Sequence, residues 1–150
     1  MNGLMVKDVM THLVVALGPR DTIEQAGQRL LSNRISGTPV VDEGKLVGIV
    51  SETDLIQTYA QAARGSPLGS RNRLMSLPPG ASAKDVSNSK VGDMMTLDVV
   101  SIPPEASVWE AASLMHRRGV RRLPVVDADS NVVGVLTRSD LVRAMAVLAS

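Results

Sequence analysis

The chain has no cysteine and no phenylalanine, and its aromatic side chains are limited to Trp109 and Tyr59. Without thiols there can be no disulfide, thiolate nucleophile or cysteine-ligated metal, and the composition fits a reducing compartment. With almost no rings, the core has to be assembled from Val, Leu, Ile, Met and Ala. Charge of one sign is also lacking. Sixteen basic and 15 acidic residues leave a net charge of +1, so no global field draws the chain to nucleic acid or anionic lipid. No apolar run approaches the roughly 18 residues needed to span a bilayer. The segment Met1–Asp8 has neither a basic n-region nor an apolar stretch of signal-peptide length. A soluble cytoplasmic protein is expected, with no membrane or nucleic-acid partner.

Catalytic signatures are missing as well. The sequence shows no Walker loop, no Ser-His-Asp order and no carboxylate pair at catalytic spacing. His12 and His116 stand apart and are not spaced as a metal pair. Neither an enzyme nor a metal site is expected.

What the sequence does contain is itself, twice. Val6-Lys7-Asp8-Val9-Met10-Thr11 recurs as Val91-Gly92-Asp93-Met94-Met95-Thr96, 85 positions later. In the same register Val14-Val15 matches Val99-Val100, Pro19 matches Pro104, Ala26 matches Ala111, and Pro39-Val40-Val41-Asp42 matches Pro124-Val125-Val126-Asp127. One residue is then inserted in a turn. Beyond it Gly48 matches Gly134 and Asp54-Leu55 matches Asp140-Leu141.

Each copy predicts the same order of elements. A short extended piece, Leu13 to Leu17 or Asp98 to Ile102, stops at Pro19 or at Pro103-Pro104. A helix follows behind a capping box, Thr22 with Gln25 or Ser107 with Glu110. Its apolar face, Ile23, Ala26, Gly27 and Leu30 or Val108, Ala111, Ala112 and Met115, has helical spacing. Gly119 suits a left-handed stop to the second of these helices, where the first copy has Asn33-Arg34. Two β-branched runs joined by an Asp- and Gly-containing turn then predict a hairpin. A closing helix begins near Ser51 or Thr137. The expectation is an α+β (α/β) fold of two tandem β-α-β-β-α repeats, 6–63 and 91–148, packed with pseudo-two-fold symmetry as one module. Residues 64–90, rich in Gly, Pro and Ser, read as a linker.

One constellation could carry chemistry: Gly48-x-x-Ser51-x-x-Asp54 and Gly134-x-x-Thr137-x-x-Asp140. Taken singly, each is a helix cap, hydroxyl at N-cap and acid in the first turn. Its recurrence at the end of the second hairpin strand opens another reading. A helix start can offer N–H groups to phosphate, and a carboxylate there can accept both hydroxyls of a ribose. The copies differ around this motif. Arg138 follows Thr137, with Arg121-Arg122 and Arg117-Arg118 nearby, where the first copy has Glu52 and Ser36-Gly37. Arginine suits phosphate, so a phosphorylated ligand is expected to prefer the second site. The eight methionines read as core and interface filler, and Trp109 as a candidate subunit contact.

These marks together resemble a tandem pair of cystathionine-β-synthase (CBS) domains, a Bateman module. The resemblance rests on Asp8-Val9-Met10-Thr11 with Asp93-Met94-Met95-Thr96, Thr38-Pro39-Val40-Val41-Asp42 with Leu123-Pro124-Val125-Val126-Asp127, and the two Gly-x-x-Ser/Thr-x-x-Asp segments. It implies a non-catalytic regulatory module binding AMP, ADP, ATP or S-adenosylmethionine in clefts between the repeats, commonly as a homodimer acting on a separate effector protein. Carried over, the ligand residues are Ser51 and Asp54 with Ser36, Gly37, Thr38 and Pro39. For the other site they are Thr137, Arg138 and Asp140 with Arg121, Arg122, Leu123 and Pro124. A purely structural or protein-interaction role without nucleotide is the alternative.

Overall fold

In the computed structural model, residues 3–12, 15–63 and 83–148 are described. Leu13 and Val14 of the first expected strand, and Arg64 to Ser82 of the expected linker, lie outside them. The elements run α1 (Val6–Val9), α2 (Ile23–Ser32), β1 (Gly37–Asp42), β2 (Lys45–Ser51), α3 (Glu52–Ala63), α4 (Ala83–Ser87), a 3-10 turn (Val91–Asp93), α5 (Val108–Arg118), β3 (Arg122–Val126), β4 (Val132–Thr137) and α6 (Arg138–Leu148).

Two compact units emerge, and neither is a contiguous repeat. Among the described residues one comprises 3–12, 44–46 and 100–148, the other 15–43, 47–63 and 83–99. Each repeat therefore lends its leading segment to the other unit. In the first unit, Val6 N donates to Ala106 O (2.8 Å), Lys7 N to Pro104 O (3.0 Å) and Val108 N to Leu4 O (3.3 Å). In the second, Val91 N donates to Asp21 O (2.7 Å), Gly92 N to Pro19 O (2.8 Å) and Ile23 N to Ser89 O (2.9 Å). These are the same three bonds with the repeats interchanged.

Each unit is built on a two-stranded sheet, β1-β2 or β3-β4. The first hairpin closes through Glu43 (φ 51°) and Gly44 (φ 82°), two successive left-handed residues as a tight hairpin turn requires. The inserted residue of the second copy falls in the corresponding turn. There Asp127 Oδ1 accepts from Asp129 N and Asn131 N, both at 2.9 Å, and Ser130 takes φ 68°. The sheet edges do not stay open. Leu17 bridges Val40 and Ile102 bridges Val125, both in parallel sense. Each is a single bridge at the C-terminal end of the extended piece expected from sequence, among the described residues, and Pro19 or Pro103 stops the ladder from running further. On the opposite edge Thr96 pairs with Ile49, and Thr11 with Val135, in antiparallel sense.

The helices form where the periodicity put them. Thr22 Oγ1 accepts from Gln25 N (3.1 Å) and Gln25 Oε1 accepts from Thr22 N (2.8 Å), completing the expected capping box. Ser107 Oγ caps Glu110 N at 3.1 Å. Gly119 ends α5 at φ 64°, and Arg34 takes the equivalent left-handed position after α2 at φ 53°. The buried apolar side chains form one cluster per unit. Ile23, Ala26, Val40 and Val50 pack with Val91, Met94 and Met95 in one. Val108, Ala111, Leu123 and Leu136 pack with Val6 and Met10 in the other. The end of the expected linker is structural: α4 buries Val86 in the core of the second unit, and Ser87 Oγ meets the Tyr59 hydroxyl.

The docking of the borrowed segments depends on two strand glycines. A Cβ on Gly134 would stand 2.5 Å from Met10 Sδ and 2.8 Å from Thr11 O, and one on Gly48 would stand 2.5 Å from Met95 Sδ and 3.1 Å from Thr96 O. Gly27, inside α2, has nothing within 4 Å of the corresponding point. Gly134→Ala should lower stability by about 1–3 kcal/mol through overpacking. Gly27→Ala should raise it by about 0.5–1 kcal/mol through helix propensity. Urea denaturation followed by circular dichroism measures both.

Candidate functional site

At the end of each hairpin the chain passes without a loop from strand into helix, β2 into α3 and β4 into α6. The junction is held by a reciprocal cap. Ser51 Oγ accepts from Asp54 N (3.2 Å), and Asp54 Oδ2 accepts from Ser51 N (2.8 Å). The second copy repeats this: Thr137 Oγ1 accepts from Asp140 N (3.2 Å) and Asp140 Oδ2 from Thr137 N (2.9 Å). One more bond ties each junction to the segment before the hairpin. Glu52 N donates to Ser36 O (2.9 Å), and Arg138 N to Arg121 O (3.0 Å). The two stretches the sequence nominated for each site, 36–39 with 51–54 and 121–124 with 137–140, are thus brought together within their own units.

These bonds change what the helix starts can offer. Of the four consecutive N–H groups from residue 51 to 54, and again from 137 to 140, three are already bonded internally. A row of free backbone donors for phosphate, expected from a helix N-terminus, is therefore largely used up by the cap. Each carboxylate keeps unused lone pairs, since one oxygen can accept more than one hydrogen.

The remaining nominated residues divide by face. Gly37, Thr38, Pro39, Leu123 and Pro124 are buried. The Thr38 hydroxyl donates to Val15 O, so it is engaged inside its unit, and Leu123 belongs to the apolar core. Ser36 is exposed, and Arg122 is half-buried. Arg121 and Arg138 line a groove of about 430 Å³ between α5 and α6, with Met115, His116, Leu141, Val142 and Met145. Asp140 is not part of that lining. At about 100° per residue, Arg138 and Asp140 lie about 200° apart around α6, which is why sequence neighbours do not share a face.

A residue the sequence reading passed over does share the face of Asp140. Arg143 Nη2 donates to Asp140 Oδ1 at 2.6 Å. The signal was present in the sequence as an i,i+3 acid–base pair on a helix. Among the described residues no group of three or more His, Asp or Glu is placed to hold a metal ion, and no helix is long and apolar enough to cross a membrane.

The duplicated hairpin-and-helix units, each with its hydroxyl–carboxylate junction, define a CBS domain pair. The CBS domain family model matches residues 6–61 and 91–147, and the chain belongs to that family. It is 35% identical to an uncharacterised protein of Methanocaldococcus jannaschii, over 95% of this chain and 91% of that one. Its fold resembles the crystal structure of CBSX2 in complex with AMP, from Arabidopsis thaliana, with a TM-score of 0.78 and 30% identity over 99% of this chain and 100% of that one. It also resembles a CBS domain pair solved in complex with 5′-methylthioadenosine and S-adenosyl-L-methionine, with a TM-score of 0.74 and 25% identity over 96% and 97% of the two chains.

Because the junction is a reciprocal cap, its residues carry stability whatever they bind. Thr137→Ala removes one of the two cap bonds and should cost about 1 kcal/mol. A fall in the urea midpoint at constant slope would show it.

Proposed function

We propose that this CBS pair is a non-catalytic regulatory module that binds an adenosine-containing ligand, AMP, ADP, ATP or S-adenosylmethionine, at the helix starts carrying Asp54 and Asp140. The observation that carries the reading is the duplicated junction itself. In each copy a carboxylate is fixed by its cap in the first helical turn, beside the segment leading into the hairpin. A rigid carboxylate is suited to the vicinal hydroxyls of a ribose, because its cap already holds it in place to accept from both. The likeness to structures containing AMP, methylthioadenosine and S-adenosylmethionine supports the choice of ligand class.

In this reading the two sites differ. The second copy begins its helix with Arg138 and has Arg121-Arg122 before its hairpin, where the first has Glu52 and Ser36-Gly37. Arg138 and Arg121 line the groove between α5 and α6 and not the face of Asp140, so the basic side chain beside that carboxylate is Arg143, where the first copy has Gln57. Gly37, Thr38, Pro39, Leu123 and Pro124 contribute backbone and shape, since all five are buried.

Self-association into a homodimer is a further part of the reading. Ile56 and Val142, at matching positions of α3 and α6, are 68% and 63% exposed, and Trp109 and Met145 are half-exposed. Apolar side chains left bare at equivalent places in both copies are suited to another subunit. A cytoplasmic setting agrees with the lack of cysteine, and regulation would act on an effector protein. Native mass spectrometry of the purified protein reports subunit count, bound small molecule and any copurified effector together.

A structural or protein-interaction role without nucleotide is favoured by one observation, the internal use of most junction N–H groups. Isothermal titration with AMP, ADP, ATP and S-adenosylmethionine separates the readings, and silence from all four supports the second. Where AMP binds, Asp140→Ala should weaken it tenfold or more, about 1.4 kcal/mol, and far more than Asp54→Ala does. Equal losses would remove the asymmetry. Both variants lose cap bonds, so titrations belong at a temperature where circular dichroism shows them folded.

A further inference from the structure

The second copy carries a contact the first lacks. Arg143 and Asp140 form an ion pair in which the carboxylate is 6% exposed and the arginine side chain 71% exposed. The matching position in the first copy is Gln57, and Asp54 has no basic partner within 4 Å among the described residues. Asp140 therefore presents one oxygen to its own helix cap and the other to a guanidinium, whereas Asp54 presents one oxygen to its cap alone. Arg121 and Arg138 line the groove between α5 and α6, so the cation bonded to Asp140 is a third arginine.

We propose that Arg143 is a specificity-determining latch: its guanidinium occupies Asp140 until a ligand's vicinal hydroxyls take its place, and the released cation then favours ligands that carry phosphate. The proposal rests on the reading of Asp140 as the ribose-holding carboxylate. A neutral nucleoside must displace the guanidinium while offering it no new partner. A nucleotide brings an oxyanion to a side chain still tethered one helical turn from Asp140, and the planar fork of arginine matches phosphate as it matched the carboxylate. Because the arginine is largely in water, solvent screens the pair and helps to receive the released cation. The latch therefore biases ligand choice by a small factor and does not close the site.

The test compares adenosine with AMP by isothermal titration, using the full chain as wild type and as Arg143→Gln, which gives the second copy the residue of the first. Arg143→Gln should bind adenosine about two- to fivefold more tightly, and the preference for AMP over adenosine should fall by at least that factor. A simple loss of helix stability would not move that ratio. Gln57→Arg installs the pair in the first copy and should weaken adenosine there by a similar factor. If the wild type binds AMP, and Arg143→Gln leaves the AMP-to-adenosine ratio unchanged or weakens adenosine, the latch is overturned while the ligand reading stands. If neither protein binds either compound, the ligand reading fails and the latch fails with it.

Discussion

Both units depend on how closely a short borrowed segment can approach a sheet edge. Met10-Thr11 and Met95-Thr96 lie against strands β4 and β2 at places where even a methyl group would collide, which is why Gly134 and Gly48 stand there. That approach permits the antiparallel bridges Thr11–Val135 and Thr96–Ile49. It also brings Val6 and Met10, or Val91, Met94 and Met95, into cores that the hairpin and two helices could not fill with so few large side chains. A chain without phenylalanine has to gain packing from methionine and β-branched residues, and the added segment supplies them.

In the proposed function, the strand–helix junctions serve folding and recognition with one arrangement. A hydroxyl and a carboxylate three residues apart satisfy each other's backbone N–H, which fixes the side chain of the acid as firmly as the helix itself. A group held in this way loses little entropy when a ligand arrives. The same bonds reduce what the helix start can give to an anion, so in that proposal a phosphate is held by side chains. The two copies share the capping solution and differ in the side chains around it: Glu52 and Gln57 in one, Arg138 and Arg143 in the other.

Much of this was legible in the sequence. The repeat, the helix starts at Thr22 and Ser107, the left-handed stop at Gly119 and the placement of the inserted turn residue all follow from local chemistry that tertiary structure left intact. The pairing of 36–39 with 51–54 was legible only through resemblance, since a bond such as Glu52 N to Ser36 O has no signature in either residue. Two features escaped. The exchange of Val6–Thr11 and Val91–Thr96 between units leaves no trace in spacing, because a duplicated sequence is compatible with either partner. Arg143 was overlooked beside Arg138, although helical geometry places only the former next to Asp140.

The exchange of leading segments also bears on how the chain acquires its structure. The unit that contains Val6–Thr11 draws on partners as far along as Val135 and Leu141, so its contacts span most of the sequence and close a very long loop. Such topology slows folding relative to a chain of independent repeats. During synthesis, the Val6–Thr11 segment must wait until β3, β4 and α6 have been made. Excising one repeat at its sequence boundaries would leave a core missing its own wall while carrying a segment with nothing to cover. The duplication doubled the fold, but the two products can no longer be taken apart.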